Sequence, residues 1–312
     1  MSEDQIEKDL RVLSIQSHVV SGYVGNKSAA FPLQVLGFEV DAINSVQFSN
    51  HTGYGSWKGT VLNSTDLADL MDGLRGNDLL HYSHILTGYV GSESFLNQVV
   101  EVIKEMKMRN PKAVYVCDPV MGDNGQLYVP AELLPIYRDS IIPLADILTP
   151  NQFEAELLTG MKIENERDAV KAMHELHKKG ARNIVISSSV LGGDSVLTAF
   201  GSSFQDDSAM QCWKLEIPRL PYIFTGTGDL FASLLLAWME KTSGNLATAL
   251  EKTVDSLQSV LRRTASYAEQ RHTDHQSKIG CKLLELRLVQ SKSDLENPGN
   301  TYKANPLPNQ VN

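Results

Sequence analysis

Short β-branched runs recur along this chain, and stretches of helical spacing separate most of them. The runs fall at 11–15, 38–43, 83–87, 113–117, 145–148 and 183–186, with helical segments at 26–36, 64–75, 93–108, from Ala131, and at 152–159 and 166–179 between them. Strands joined through helices run parallel, because only a long crossover can bring the chain back to the same end of a sheet. A parallel sheet needs cover on both faces. The rhythm therefore predicts an α/β fold, a mostly parallel central sheet with helices on both faces. Runs at 195–200 and 211–218 follow, with Gly192-Gly193-Asp194 as a hairpin turn before the first of them. Two long helices are expected to 241 and over 245–270, and 283–289 alternates like a last edge strand.

Sheets of this kind bind ligands beyond the carboxyl ends of their strands. The polar residues collect there: Ser17, the 45–54 loop, Thr87-Gly88-Tyr89, Asp118, Thr149-Pro150-Asn151, Ser187-Ser188 and the turn Thr225-Gly226-Thr227-Gly228-Asp229. In that last turn glycines bracket Thr227, and an apolar helical run follows. A glycine turn opening a helix aims unpaired N–H groups at one point, to which the helix dipole adds positive potential. That makes an anion hole for phosphate. Two readings of Asp229 stand side by side. It takes a proton from a hydroxyl that attacks phosphorus, or it simply complements the helix N-terminus.

Asp118 ends a buried run and precedes a proline, as a site carboxylate or as an ordinary turn starter. Asn151 and Glu154 have the spacing of a capping box. A Glu at a site edge can also hold Mg²⁺ through water, and Mg²⁺ needs only one or two protein carboxylates, which Asp118 and Glu154 supply. Ser187, Thr149 and Asp118 end neighbouring strands and could offer oxygens to a monovalent cation. The glycine-bearing 122–126 segment reads as a connector or as a lid that excludes water. His18, His51 and the other histidines lack ligand spacing. No Walker A sequence and no Gly-x-Gly-x-x-Gly follows the first strand, which disfavours P-loop enzymes and dinucleotide dehydrogenases.

A net charge of −9 argues against a nucleic-acid surface. Three scattered cysteines suit reduced, cytosolic thiols. The acidic N-terminus is unlike a secretory signal, and the apolar run at 230–239 is too short for a bilayer. A cytoplasmic protein without membrane partners is expected, with 1–10 a flexible lead-in, 11–290 one domain and 291–312 a disordered tail, rich in Asn, Pro and Gly.

Gly226-Thr227-Gly228-Asp229 resembles the signature of the ribokinase-like superfamily of small-molecule kinases. More narrowly, Leu13 to His18, Gly22 to Asn26, Asn44 to Tyr54, Leu86 to Tyr89, Cys117 to Asp123 and Leu148 to Glu156, with the glycine turn, resemble the eukaryotic pyridoxal kinase family over about 11–290. The resemblance implies a three-layer α/β/α fold, a homodimer and ATP-dependent phosphorylation of the 5′-hydroxyl of pyridoxal, pyridoxine and pyridoxamine. It makes Asp229 the base and Gly226, Thr227 and Gly228 the anion hole. Ser17 and Thr52 would bond the pyridine ring and its substituents, with Val24, Val46, Phe48 and Tyr89 as apolar walls. Asn151, Ser187, Ser188, Thr227, Leu220 and Tyr222 match nucleotide positions, and Asp123 and Tyr128 match lid positions. Asp118, Thr149 and Ser187 match a K⁺ or Na⁺ site, and Mg²⁺ would ride with ATP near Asp118 and Glu154. Two departures stand out: a lid shorter than in vertebrate members, and Ser187 where many relatives have Thr. The lid also lacks the cysteine of bacterial hydroxymethylpyrimidine kinases. Another kinase of this fold, acting on hydroxymethylpyrimidine or a sugar, and a non-catalytic vitamer-binding protein are the alternatives.

Overall fold

Alternation along the strands sorts the apolar side chains into two cores. In β1 (Arg11–Val19), Leu13 and Ile15 turn to one face and Val12 to the other. The same division holds in β4 (His84–Thr87), β5 (Val114–Cys117), β8 (Ile147–Leu148) and β9 (Asn183–Ser189). The first core is closed by α2 (Ser64–Gly76), α3 (Glu93–Arg109), α5 (Gln152–Thr159) and α6 (Glu166–Lys178). The second is closed by α1 (Asn26–Val35), α7 (Thr227–Lys241) and α8 (Leu246–Arg271). This computed structural model, which describes residues 9–204, 210–273 and 277–308, is thus the expected three-layer α/β/α sandwich. The expected flexible lead-in lies outside the described residues up to position 8.

With β2 (Glu39–Phe48), β3 (Gly59–Val61), β10 (Val196–Ser203), β11 (Gln211–Pro218) and β12 (Asn305–Leu307), the sheet order is β12-β11-β10-β9-β8-β5-β4-β1-β2-β3. From β2 through β1, β4, β5 and β8 to β9 neighbours are parallel. The edges are antiparallel. The chain leaves β1 towards β2 on one side and returns to β4 on the other. That is a topological switch point, and a crevice opens above it.

Several expectations need correction. Residues 45–48 continue β2 rather than forming loop, since β3 folds back to pair with Val46 to Phe48. The helix α2 is capped by Asn63, with Asp66 completing its box, rather than by Ser64-Thr65-Asp66 as the sequence suggests. The segment after Ala131 forms only the short α4 (Leu133–Ile136), which widens into a π turn at Tyr137–Ile141. The alternating 283–289 stretch is not a strand. Leu284, Leu286 and Leu288 are buried, but the edge position belongs to β12. Nor is the tail disordered through 308: α9 (Lys292–Glu296) buries Leu295, Tyr302 is buried, and the Asp255 carboxylate accepts the Thr301 N–H at 3.1 Å. Two apolar anchors and a paired backbone outweigh an Asn- and Pro-rich composition.

Candidate active site

Gly226 caps α7 in the left-handed region at φ +82°. A Cβ there would lie 2.0 Å from the Tyr23 carbonyl oxygen, so the turn and the β1–α1 loop approach as only glycine permits. Ser28 Oγ donates to the Gly226 carbonyl at 3.0 Å and ties the same two elements together. Gly25, at φ +53°, is equally confined, because a Cβ would meet the Ser17 carbonyl oxygen at 1.9 Å. Its N–H donates to Asp229 Oδ2 at 2.8 Å. The carboxylate in the first turn of α7 is therefore held from across the crevice, and among the described residues no ion pair engages it. Burial pushes its carboxyl above the usual range and the Gly25 N–H draws it back. A carboxylate made more basic in this way accepts a proton more readily.

Asp118, directly after β5, is 5% exposed. Thr149 Oγ1 donates to its Oδ1 at 3.4 Å. Its Oδ2 is buried without a hydrogen-bond partner among the described residues. A Cβ on Gly228 would come within 3.4 Å of that oxygen, so the orphaned atom faces the glycine turn. Burial first, then the charges of Glu154 and Asp229, push the Asp118 carboxyl well above its ordinary value. A buried, unpaired carboxylate oxygen beside further acids fits a cation.

Glu154 and Asn151 form the expected capping box at α5. Glu154 also reaches further than its spacing suggests. Its Oε2 accepts Asn151 N–H and its Oε1 accepts Met121 N–H, both at 2.9 Å. Asn151 Nδ2 donates to the Gly122 carbonyl at 2.7 Å. Burial pushes the Glu154 carboxyl up to about 7 against the pull of these bonds. Together the pair roots a hairpin, β6 (Gly122–Asp123) and β7 (Gln126–Leu127). Its turn residues Asn124 and Gly125 both have positive φ, as a tight two-residue hairpin requires. The presumed lid is this hairpin, with Asp123 exposed on it and Tyr128, just after it, 59% exposed. Asn151→Ala should therefore lower stability by about 1 kcal/mol, since both cap and hairpin root are lost; melting curves check it.

The remaining expected residues differ in exposure. Ser17, Phe48 and Tyr89 are half-buried, Val24 and Val46 are buried, and Thr52 is exposed. Thr52 opens the turn Thr52–Tyr54, whose Gly53 would carry a Cβ 3.8 Å from Thr225 Oγ1. Ser45 Oγ donates to the Tyr89 carbonyl at 3.0 Å. Ser187 N–H donates to the Pro150 carbonyl at 2.9 Å, which joins it to Thr149 through the adjoining residue. Leu220, Tyr222, Thr227 and Ser188 are half-buried. Tyr222 donates to Glu269 at 2.6 Å and stacks edge-on against Phe224, on the approach to the glycine turn. Sequence reasoning missed Gly25 as the group that holds Asp229, although the glycines at 22 and 25 beside a strand end were a usable signal. It also missed Glu285, for which the sequence carried no signal.

A parallel α/β/α sandwich with a carboxylate in the first turn of a helix opened by a glycine turn, beside a second buried carboxylate, is the architecture of a ribokinase-like small-molecule kinase. Residues 77–275 match the phosphomethylpyrimidine kinase family model. The chain is 52% identical to pyridoxal kinase of Bos taurus, covering 97% of this chain and 100% of that one, and 50% identical to pyridoxal kinase of Homo sapiens over equal shares. It also matches the structure of Leishmania donovani pyridoxal kinase in complex with ADP and pyridoxamine, with a TM-score of 0.87 and 36% identity, covering 96% of this chain and 100% of that one. The chain belongs to the pyridoxal kinase family.

Proposed function

We infer that this protein transfers the γ-phosphoryl group of ATP to the 5′-hydroxyl of pyridoxal, pyridoxine and pyridoxamine. The observation that carries the mechanism is the Asp229 carboxylate, held by Gly25 N–H at the mouth of the glycine turn. Asp229 takes the hydroxyl proton as the alcohol oxygen attacks the γ-phosphorus, and ADP departs with the electrons of the broken P–O bond. The N–H groups of Gly226, Thr227 and Gly228 receive the transferring group. Ser17 and Thr52 bond the pyridine substituents, and Val24, Val46, Phe48 and Tyr89 enclose the ring. Asn151, Ser187, Ser188, Thr227, Leu220 and Tyr222 serve the nucleotide, and Asp123 and Tyr128 close over its phosphates.

Asp118 is the residue to hold Mg²⁺, because its Oδ2 has no other partner. Glu154, with both oxygens engaged by backbone N–H groups, shares in this through its charge and bound water. Mg²⁺ bound with ATP would neutralise phosphate charge. Thr149, next to Pro150, and Ser187, whose N–H donates to the Pro150 carbonyl, complete a K⁺ or Na⁺ site with Asp118. The enzyme works as a homodimer; exposed Trp57 and Val61 at the edge of the sheet offer apolar surface for it, and sedimentation at micromolar concentration tests it. Among the described residues no helix is long and apolar enough to cross a membrane.

Incubation with ATP, Mg²⁺ and a panel of pyridine, pyrimidine and sugar alcohols, following ADP release, tests the reading. Turnover is expected on the pyridine alcohols. Preference for a hydroxymethylpyrimidine would overturn it.

Asp118→Asn gives a second, opposed pair of outcomes. The ionised Asp118 is costly in the folded state at pH values above its raised pKa, where the unfolded chain has long since released the same proton. The variant without nucleotide should therefore melt higher than the wild type at alkaline pH, an advantage that shrinks as the pH falls and the wild-type carboxyl takes up its proton. Mg²⁺ and ATP should stabilise the wild type more than the variant, and turnover should fall sharply. Thermal melts from pH 5 to 8 with and without ligand decide it.

A further inference from the structure

Glu285 comes from the far end of the chain, yet its carboxylate meets groups from both loops around the alcohol pocket. Its Oε2 accepts the Tyr23 N–H at 3.0 Å, two residues before the Gly25 N–H that holds Asp229. Its Oε1 accepts the Tyr54 hydroxyl at 2.8 Å and lies 3.2 Å from His51 Nε2. His51 Nδ1 accepts the Gly53 N–H at 3.1 Å, so the ring carries its proton on Nε2 and donates it to Glu285. The His51 and Tyr54 rings pack 4.8 Å apart, flanking Thr52. Gly22 comes so near that a Cβ would lie 2.4 Å from Glu285 Oε1.

These partners are a backbone amide, a phenol and an imidazole, not a Lys or an Arg, so the contact is unlike a surface ion pair. The Glu285 side chain is 17% exposed. Burial alone would push its carboxyl up, but the bonds from His51, Tyr54 and Tyr23 N–H outweigh it and hold the group below the usual range, ionised at neutral pH. Its own backbone is rigidly seated. Leu284 and Leu286 are buried on either side, and the Arg287 N–H donates to Thr264 Oγ1 of α8 at 3.0 Å.

We propose that Glu285 is a positioning residue, which fixes the 22–25 loop and the 51–54 turn to each other so that the bound alcohol and the Asp229 carboxylate stand in register. This rests on the assignment of that crevice to the vitamer and of Asp229 as base. Glu285 touches neither reactant and acts through Tyr23, His51 and Tyr54.

The test uses the full chain, with steady-state constants for pyridoxal and ATP, and calorimetric binding of pyridoxal in the presence of ADP. Glu285→Ala should raise the KM and Kd for pyridoxal and lower kcat, each by about 10–100-fold, as expected for misplaced reacting groups, with the KM for ATP within about twofold. Tyr54→Phe removes one hydroxyl without disturbing packing, and should raise the pyridoxal constants several-fold while the melting temperature falls by no more than a few degrees. Glu285→Gln, which keeps an acceptor for Tyr23 N–H, should recover part of the loss. The inference is overturned if Tyr54→Phe and Glu285→Ala bind pyridoxal as the wild type does, or if the pyridoxal and ATP constants shift together. Because binding is read without turnover, the result stands apart from that of Asp229. A loss of base function there with normal pyridoxal binding in the Glu285 variants would sink only this proposal.

Discussion

Asp229→Ala is expected to bind ATP and pyridoxal with near wild-type affinity and to lose about 10²–10⁴-fold in kcat, the usual contribution of a positioned base. The carboxylate sits at the first turn of α7 and takes a hydrogen bond from Gly25, so its removal leaves the glycine turn itself in place. Since burial raises its pKa, only the deprotonated form above that pKa can act as base. In the wild type kcat/KM for the vitamer should rise with pH through an acidic limb, and in the variant that limb should vanish. The ionised side chain is also unfavourable in the folded state at neutral pH, so the Ala and Asn variants should melt no lower than the wild type there, and the loss of rate cannot be assigned to unfolding. Turnover within tenfold of wild type in Asp229→Asn would leave the site without its base.

Gly226→Ala should be nearly as damaging, for a steric reason. The added Cβ meets the Tyr23 carbonyl oxygen at 2.0 Å in a residue already at φ +82°. Neither backbone can yield alone, because Ser28 ties Gly226 to α1 and Glu285 holds Tyr23. Relief must move the amides of the glycine turn away from the Gly25–Asp229 contact. A fall in kcat of about 10²-fold follows from displacement on the ångström scale, with about 1–3 kcal/mol of lost stability. Gly244→Ala is the control: its φ is +83° with nothing within 4 Å, so it carries the backbone strain without the clash. It should cost about 1 kcal/mol and leave turnover alone. Equal activity in the two variants would show that the close approach at Gly226 does not matter.

Much of the architecture was legible before any coordinates. The helix over 152–159 and the strand over 211–218 appear with the bounds read from their patterns, and the capping box at Asn151 and Glu154 forms as its spacing requires. The errors share one cause. At 283–289 the alternation was real, since Leu284, Leu286 and Leu288 are buried, but the backbone runs between two 3₁₀ turns, so the pattern reports an apolar surface beneath and says nothing of a neighbouring strand. Composition misjudged 292–307 likewise, because Leu295 and Tyr302 find their burial only against elements far back in the chain.

By itself the sequence determined the layers, the crevice end of the sheet and the glycine turn, because periodicity and helix capping act over a few residues and are written locally. Only the tertiary structure decided that Gly25 holds Asp229 across 204 residues, that Glu154 roots the hairpin and that Glu285 grips Tyr23 across 262. Those bonds run to backbone amides, which every residue but proline carries. Which amide a carboxylate meets depends on the packing of both cores.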